Sequence, residues 1–128
     1  MSSPRKFITR GFAATNTTFR AYVRDDSTGA AMLPAALTAI SYAVTQTVGP
    51  SVGTSTGSGS LSPVATYLSG TLSTVGWDID SIGYNFKATL PASCFPDAGN
   101  YNVVFLGTLA DGTTFIIAHC DHHAFSRS

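Results

Sequence analysis

Hydrophobic and polar residues alternate with a period of two over several short stretches, and no stretch sustains the 3.6-residue period of an amphipathic helix. In residues 17–24, Phe19, Ala21 and Val23 alternate with Arg20, Tyr22 and Arg24, which predicts a half-buried strand. Residues 39–48 repeat the pattern, with Ile40, Tyr42 and Val44 set against Ser41, Ala43 and Thr45. Residues 64–73 offer a third strand. Tyr84, Phe86, Ala88 and Leu90 alternate with Asn85, Lys87 and Thr89 to give a fourth. Residues 101–120 read as a hairpin, because Asp111 and Gly112 form the Asp-Gly pair of a type I′ turn between two runs rich in β-branched and aromatic residues. The segment 32–37 is short and interrupted by Pro34, so it predicts no helix. Residues 49–62 contain mostly Gly, Ser and Thr and read as a flexible loop. Short strands separated by turn signals predict an all-β, antiparallel sandwich of about seven strands.

A chain of 128 residues suits one domain, with residues 1–14 as an N-terminal arm and 15–128 as the sandwich. Charged residues make up only 11% of it, so much of the surface must be Ser, Thr, Gly, Asn and Ala. The seven acidic residues are all Asp, which favours turns over helix interiors. Formal net charge is zero, so no electrostatic capture of nucleic acid is expected, and a near-neutral surface suits a protein in contact with others. Arg5, Lys6, Arg10, Arg20 and Arg24 precede every Asp. Arg5, Lys6 and Arg10 surround Phe7 and Ile8, an apolar anchor in a charged frame, and these five residues are the expected subunit contact. No apolar run is long enough to span a membrane, and no hydrophobic signal region follows the first basic residues. Synthesis in a cytoplasm follows as the expectation, with Cys94 and Cys120 as free thiols.

The spacing Asp97, Gly99, Tyr101, Val103 resembles the Asp-x-Gly-x-Tyr-x-Cys signature of the tyrosine corner of immunoglobulin-like domains. There a tyrosine hydroxyl bonds back to the backbone a few residues upstream. Val103 replaces the second core cysteine of that family, which removes the standard inter-sheet disulfide and keeps an apolar position. Trp77 comes too late, and too near a turn, for the core tryptophan. Residues 78–117 also resemble, in the order of their motifs, the C-terminal half of small immunoglobulin-like domains of tailed bacteriophages, including the N-terminal domain of baseplate upper proteins. The motifs are a Gly-Tyr-Asn-Phe strand at 83–86, a Leu-Pro to Phe-Pro connection at 90–96, a Gly-x-Tyr strand start at 99–101 and an Asp-Gly hairpin at 111–112. That resemblance implies virion architecture and carries no catalytic residues.

Three other constellations bear on chemistry. The cluster His119, Cys120, Asp121, His122, His123 has zinc-ligand residue types, but on a strand these alternate between faces, so no one face presents three ligands. Asp78, Asp80 and Gly83 match the opening of a calcium loop, yet Ile82 fills a ligand position and Thr89 stands where a bidentate Glu is needed. No nucleophile elbow is present, and no Glu serves as an acid. The reading is a non-enzymatic phage structural protein without cofactors, present in many copies in a virion assembled in the host cytoplasm. Its expected partners are capsid or tail subunits and copies of itself, with no nucleic acid and no membrane. The rival class is a carbohydrate or host-surface binding module, with Trp77, Tyr84 and Tyr67 as stacking platforms.

Overall fold

Period-two alternation along the chain becomes two β-sheets whose inner faces share one core. A computed structural model describes residues 6–25, 28–50, 52–77 and 81–126. The strands are β1 (Lys6–Phe12), β2 (Thr17–Ala21), β3 (Leu37–Val48), β4 (Ser55–Ser60), β5 (Leu68–Ser73), β6 (Tyr84–Leu90), β7 (Gly99–Leu109) and β8 (Thr114–Phe125). One sheet has the order β1-β8-β7-β3-β4 and the other β2-β6-β5. All pairs are antiparallel except β1 with β8, which runs parallel from Lys6 opposite His119 to Phe12 opposite Phe125. The all-β expectation holds, and the wholly antiparallel one gives way at that single pair.

Inward residues of both sheets meet in a cluster of aromatic rings. Phe19 of β2 lies 5.7 Å from Phe105 of β7, and Phe86 of β6 lies 5.0 Å from the same ring. Phe95, in the connection before β7, stacks edge-on against Tyr101 at 5.2 Å. Each of these rings is at most 1% exposed. Burying one such ring contributes about 1.5 to 3 kcal/mol, so the two sheets are joined mainly here. Three polar side chains, Asn85, Gln46 and His122, are buried with them. Asn85 accepts from Val23 N at 2.7 Å and donates to Val23 O at 2.9 Å, which fixes the segment after β2. Gln46 donates to the Tyr101 hydroxyl at 3.1 Å.

Four local expectations change. Residues 1–14 read as an arm, but Lys6–Phe12 is an edge strand of the chain's own sheet. Residues 49–62 read as a flexible loop, but Ser55–Ser60 pairs with β3. The reason is steric. A β-carbon on Gly57 would stand 2.5 Å from Cys94 Sγ, and one on Gly59 would stand 3.2 Å from the Tyr42 ring. The two glycines let these side chains pack directly on the β4 backbone, as an aromatic covers a glycine in many sheets. Residues 64–73 are not one strand, because Val64–Tyr67 forms a single helical turn, α1, before β5.

Finally, the Asp111-Gly112 hairpin is present but not as a type I′ turn. Gly112 N donates to Leu109 O at 2.9 Å, so Ala110 and Asp111 are the central residues. Only Gly112 in this turn has positive φ, at 88°. This is a type I turn followed by a left-handed glycine, the three-residue loop that also matches strand twist. Asp111 Oδ1 accepts from Thr113 N at 2.9 Å, and that bond holds its carboxyl below the ordinary value.

Candidate functional site

The predicted corner is built as its spacing implies. Tyr101 is fully buried, and its hydroxyl donates to Asp97 O at 2.7 Å while accepting from Asp97 N at 3.1 Å and from Gln46 Nε2. Gly99 has φ 148°, and a β-carbon there would stand 2.0 Å from Val48 O, so no other residue fits. Burial raises the Tyr101 phenol above its ordinary value, with the Asp97 backbone bond opposing. Asp97, Gly99 and Tyr101 are therefore structural: they set where β7 begins.

The residues 119–123 all lie within β8, which continues through Phe125. Cys120 and His122 point inward and are buried, whereas His119, Asp121 and His123 are half-buried on the outer face. His119 Nε2 donates to Asn102 Oδ1 on β7. Burial pushes the Cys120 thiol up to about 12, aided by the Asp121 charge, so it stays protonated and unreactive at neutral pH. Among the described residues no group of three or more His, Cys or Asp is placed to hold a metal ion. Cys94 is likewise a free, buried thiol, raised by burial while a bond from Tyr42 opposes the rise.

His122 instead joins β8 to β1. Its Nδ1 shares a hydrogen bond with Thr9 Oγ1 at 2.8 Å, and the imidazole lies over Gly11, where a β-carbon would make an ordinary contact with it at 3.4 Å. Phe95 and Phe19 flank the ring at 4.7 and 5.8 Å. The Nε2 atom is buried with no hydrogen-bond partner among the described residues. Burial pushes the His122 pKa down to about 4, with the nearby His123 adding to the effect. The ring is neutral at pH 7 and is a packing element of the sheet.

On the opposite face of the same two strands, side chains are left open. Ile8 is 61% exposed, Phe12 57% and Phe125 50%. The parallel register sets Phe12 beside Phe125, Arg10 beside His123 and Ile8 beside Asp121. This makes an apolar stripe interrupted by Arg10 at one margin of the five-stranded sheet. Of the residues expected to contact a neighbour, Ile8 and Arg10 lie on it. Arg5 is outside the described residues, and Lys6 and Phe7 are described only as backbone in β1. Phe12 and Phe125 were not legible as site residues. They are far apart in sequence, and only the β1–β8 pairing brings them together.

A second feature lies along β5 and β6. A groove of about 290 Å³ is lined by Tyr67, Ser69, Thr71, Ser73, Tyr84 and Lys87 among others. Trp77 is not in its wall but packs on Tyr84 at 5.6 Å. The Arg20 guanidinium sits 5.5 Å from the same ring. The Tyr84 hydroxyl donates to Val75 O at 2.8 Å. Hydrogen bonds with Ser73 and Arg20 draw its phenol below the ordinary value. Asp78 and Asp80 of the calcium-like pattern lie outside the described residues.

Neither a protein-family model nor a curated protein matches the chain. Among the described residues, no helix is long and apolar enough to cross a membrane.

Proposed function

We propose that this chain is an immunoglobulin-like module serving as a multi-copy structural subunit of a bacteriophage virion, docked on neighbouring subunits through the outer face of β1 and β8. The fold part of this reading is supported by strand order. In variable-type immunoglobulin domains, one sheet carries G, F, C and C′ and the other B, E and D. The orders β8-β7-β3-β4 and β2-β6-β5 correspond to these one for one. The corner at Tyr101 falls at the start of the strand that corresponds to F.

The observation that carries the functional part is the stripe of Ile8, Phe12 and Phe125, three large apolar side chains half or more exposed on adjacent strands. Clustered exposed apolar residues mark interaction surfaces more often than scattered ones do. The low charge of the chain and the phage-like order of motifs in residues 78–117 point the same way. Particles banded from lysates of the bacteria that make this chain should contain it in many copies. A triple variant Ile8→Ser, Phe12→Ser, Phe125→Ser should fold but be missing from them. Normal incorporation of that variant would reject the docking face, and absence of the wild-type chain from particles would reject the virion role.

The groove beside β5 favours a second reading, a carbohydrate or host-surface binding module. Tyr67 and Tyr84 line it together with hydroxyl side chains and Lys87, and among the described residues no acidic side chain is in its wall. Aromatic faces with nearby hydroxyls are what a sugar ring uses. Specific binding on a glycan array, lost in Tyr67→Ala, together with absence from particles, would place this reading first.

A further inference from the structure

We propose that copies of this chain exchange β1, each strand leaving its own β8 to lie in the same parallel register on the β8 of a second copy. The inference concerns this chain alone and stands apart from the virion reading.

Among the described side chains, little besides the ladder holds β1 in place. Among the described strands it pairs only with β8. Ile8, Arg10 and Phe12 face outward, and among the described side chains the one hydrogen bond from β1 to β8 is Thr9 with His122. A second copy offers the same β8 and the same His122, so every one of these contacts re-forms after exchange. The closed and exchanged forms therefore differ mainly in the hinge and in the entropy of association. Zero net charge leaves no overall repulsion between copies.

The hinge favours exchange. Residues 13–16 carry the chain from one sheet to the other. Within them Ala14 has φ 57°, the one non-glycine residue with positive φ among the described residues. A left-handed alanine is strained by its β-carbon, and extending the hinge releases that strain, which biases the equilibrium by about 5- to 30-fold per chain. Short strained hinges are where element swapping starts. The bonds that close the corner include Ala13 N to Phe125 O at 2.8 Å, Ala14 N to Phe95 O at 2.6 Å, Thr15 Oγ1 to Phe12 O at 2.6 Å, Ala92 N to Asn16 Oδ1 at 2.9 Å and Thr17 Oγ1 to Thr15 O at 3.4 Å.

The test uses the β1–β8 register. Arg10 and His123 are partners on the outer face, and the native cysteines are buried. The double variant Arg10→Cys, His123→Cys, oxidised and run on a non-reducing gel, should give intrachain bonds in dilute protein and covalent dimers that increase with concentration. Adding Ala14→Gly, which removes the strain, should lower the dimer fraction about 5-fold or more. Adding Ala14→Pro should raise it, because proline cannot adopt positive φ or donate to Phe95 O. If Ala14→Pro does not fold, the concentration series and Ala14→Gly still decide. Intrachain bonds alone at every concentration would overturn the proposal. So would dimers seen by light scattering whose cysteines remain bonded within each chain, which would instead mean docking through the exposed face without exchange.

Discussion

β1 and β4 lie at opposite edges of the same sheet, and each pairs with one neighbour. Their sequences could hardly differ more. β1, KFITRGF, has the aromatic and β-branched residues of a good strand. β4, STGSGS, has almost none. Yet β4 is the one locked by packing, because Tyr42 and Cys94 occupy the space over Gly57 and Gly59. β1 turns its large side chains at Ile8 and Phe12 to solvent and is tied inward by Thr9 to His122. Strand propensity thus measures how a segment fits a pleated, half-buried surface. At an edge, what the neighbouring layer offers decides how firmly the strand is held.

The tie at β1 should show the largest effect, and it is read by pH. His122 has a folded pKa of about 4 against an ordinary 6.5, so the unfolded chain takes up a proton first as pH falls. Stability from this group is complete above pH 6.5 and is lost as pH falls from 6.5 toward 4. The total loss should be about 3 kcal/mol. Urea midpoints measured across that window should fall, and His122→Gln should flatten the slope; an equal slope in the variant would remove His122 from the account.

The lock at β4 comes next. Gly57→Val drives a side chain into Cys94 and should cost about 1 to 3 kcal/mol. Cys94→Ala should restore part of that loss, so the two changes should be non-additive in a double-mutant cycle. Additive effects would mean β4 is not held by that contact.

Between the two edges stands β7, whose start is set by the corner. Tyr101→Phe leaves Asp97 O and Gln46 Nε2 without their shared hydroxyl and should cost about 1 to 2 kcal/mol, seen as a lower denaturant midpoint at unchanged m. A midpoint equal to wild type would show that the corner does not support the fold. The smallest effect on stability is expected at the outer face of β1. Phe12→Ser should shift the midpoint by no more than about 0.5 kcal/mol, since the ring is already exposed. A larger loss would show that Phe12 packs within its own chain, and would weaken its assignment to a docking face.

Alternation by itself determined much of this protein. Residues 17–21, 39–48, 84–90 and the two arms from 101 to 120 are strands because apolar side chains recur every second residue, and one buried face requires that pattern. The corner was legible too, since the bond from Tyr101 to Asp97 spans four residues, whereas its contacts with Gln46 and Val48 were not. What tertiary structure decided was everything carried by contacts between segments far apart. The arm became β1 because β8 presents an open parallel edge, and the Gly/Ser stretch became β4 because Tyr42 and Cys94 fill the space that its own side chains lack. The inward turn of His122 and the meeting of Phe12 with Phe125 follow from pairing over more than a hundred residues. A local pattern reports which face a residue takes, but the neighbour on that face is set by how the sheets close, and no window along the chain contains both.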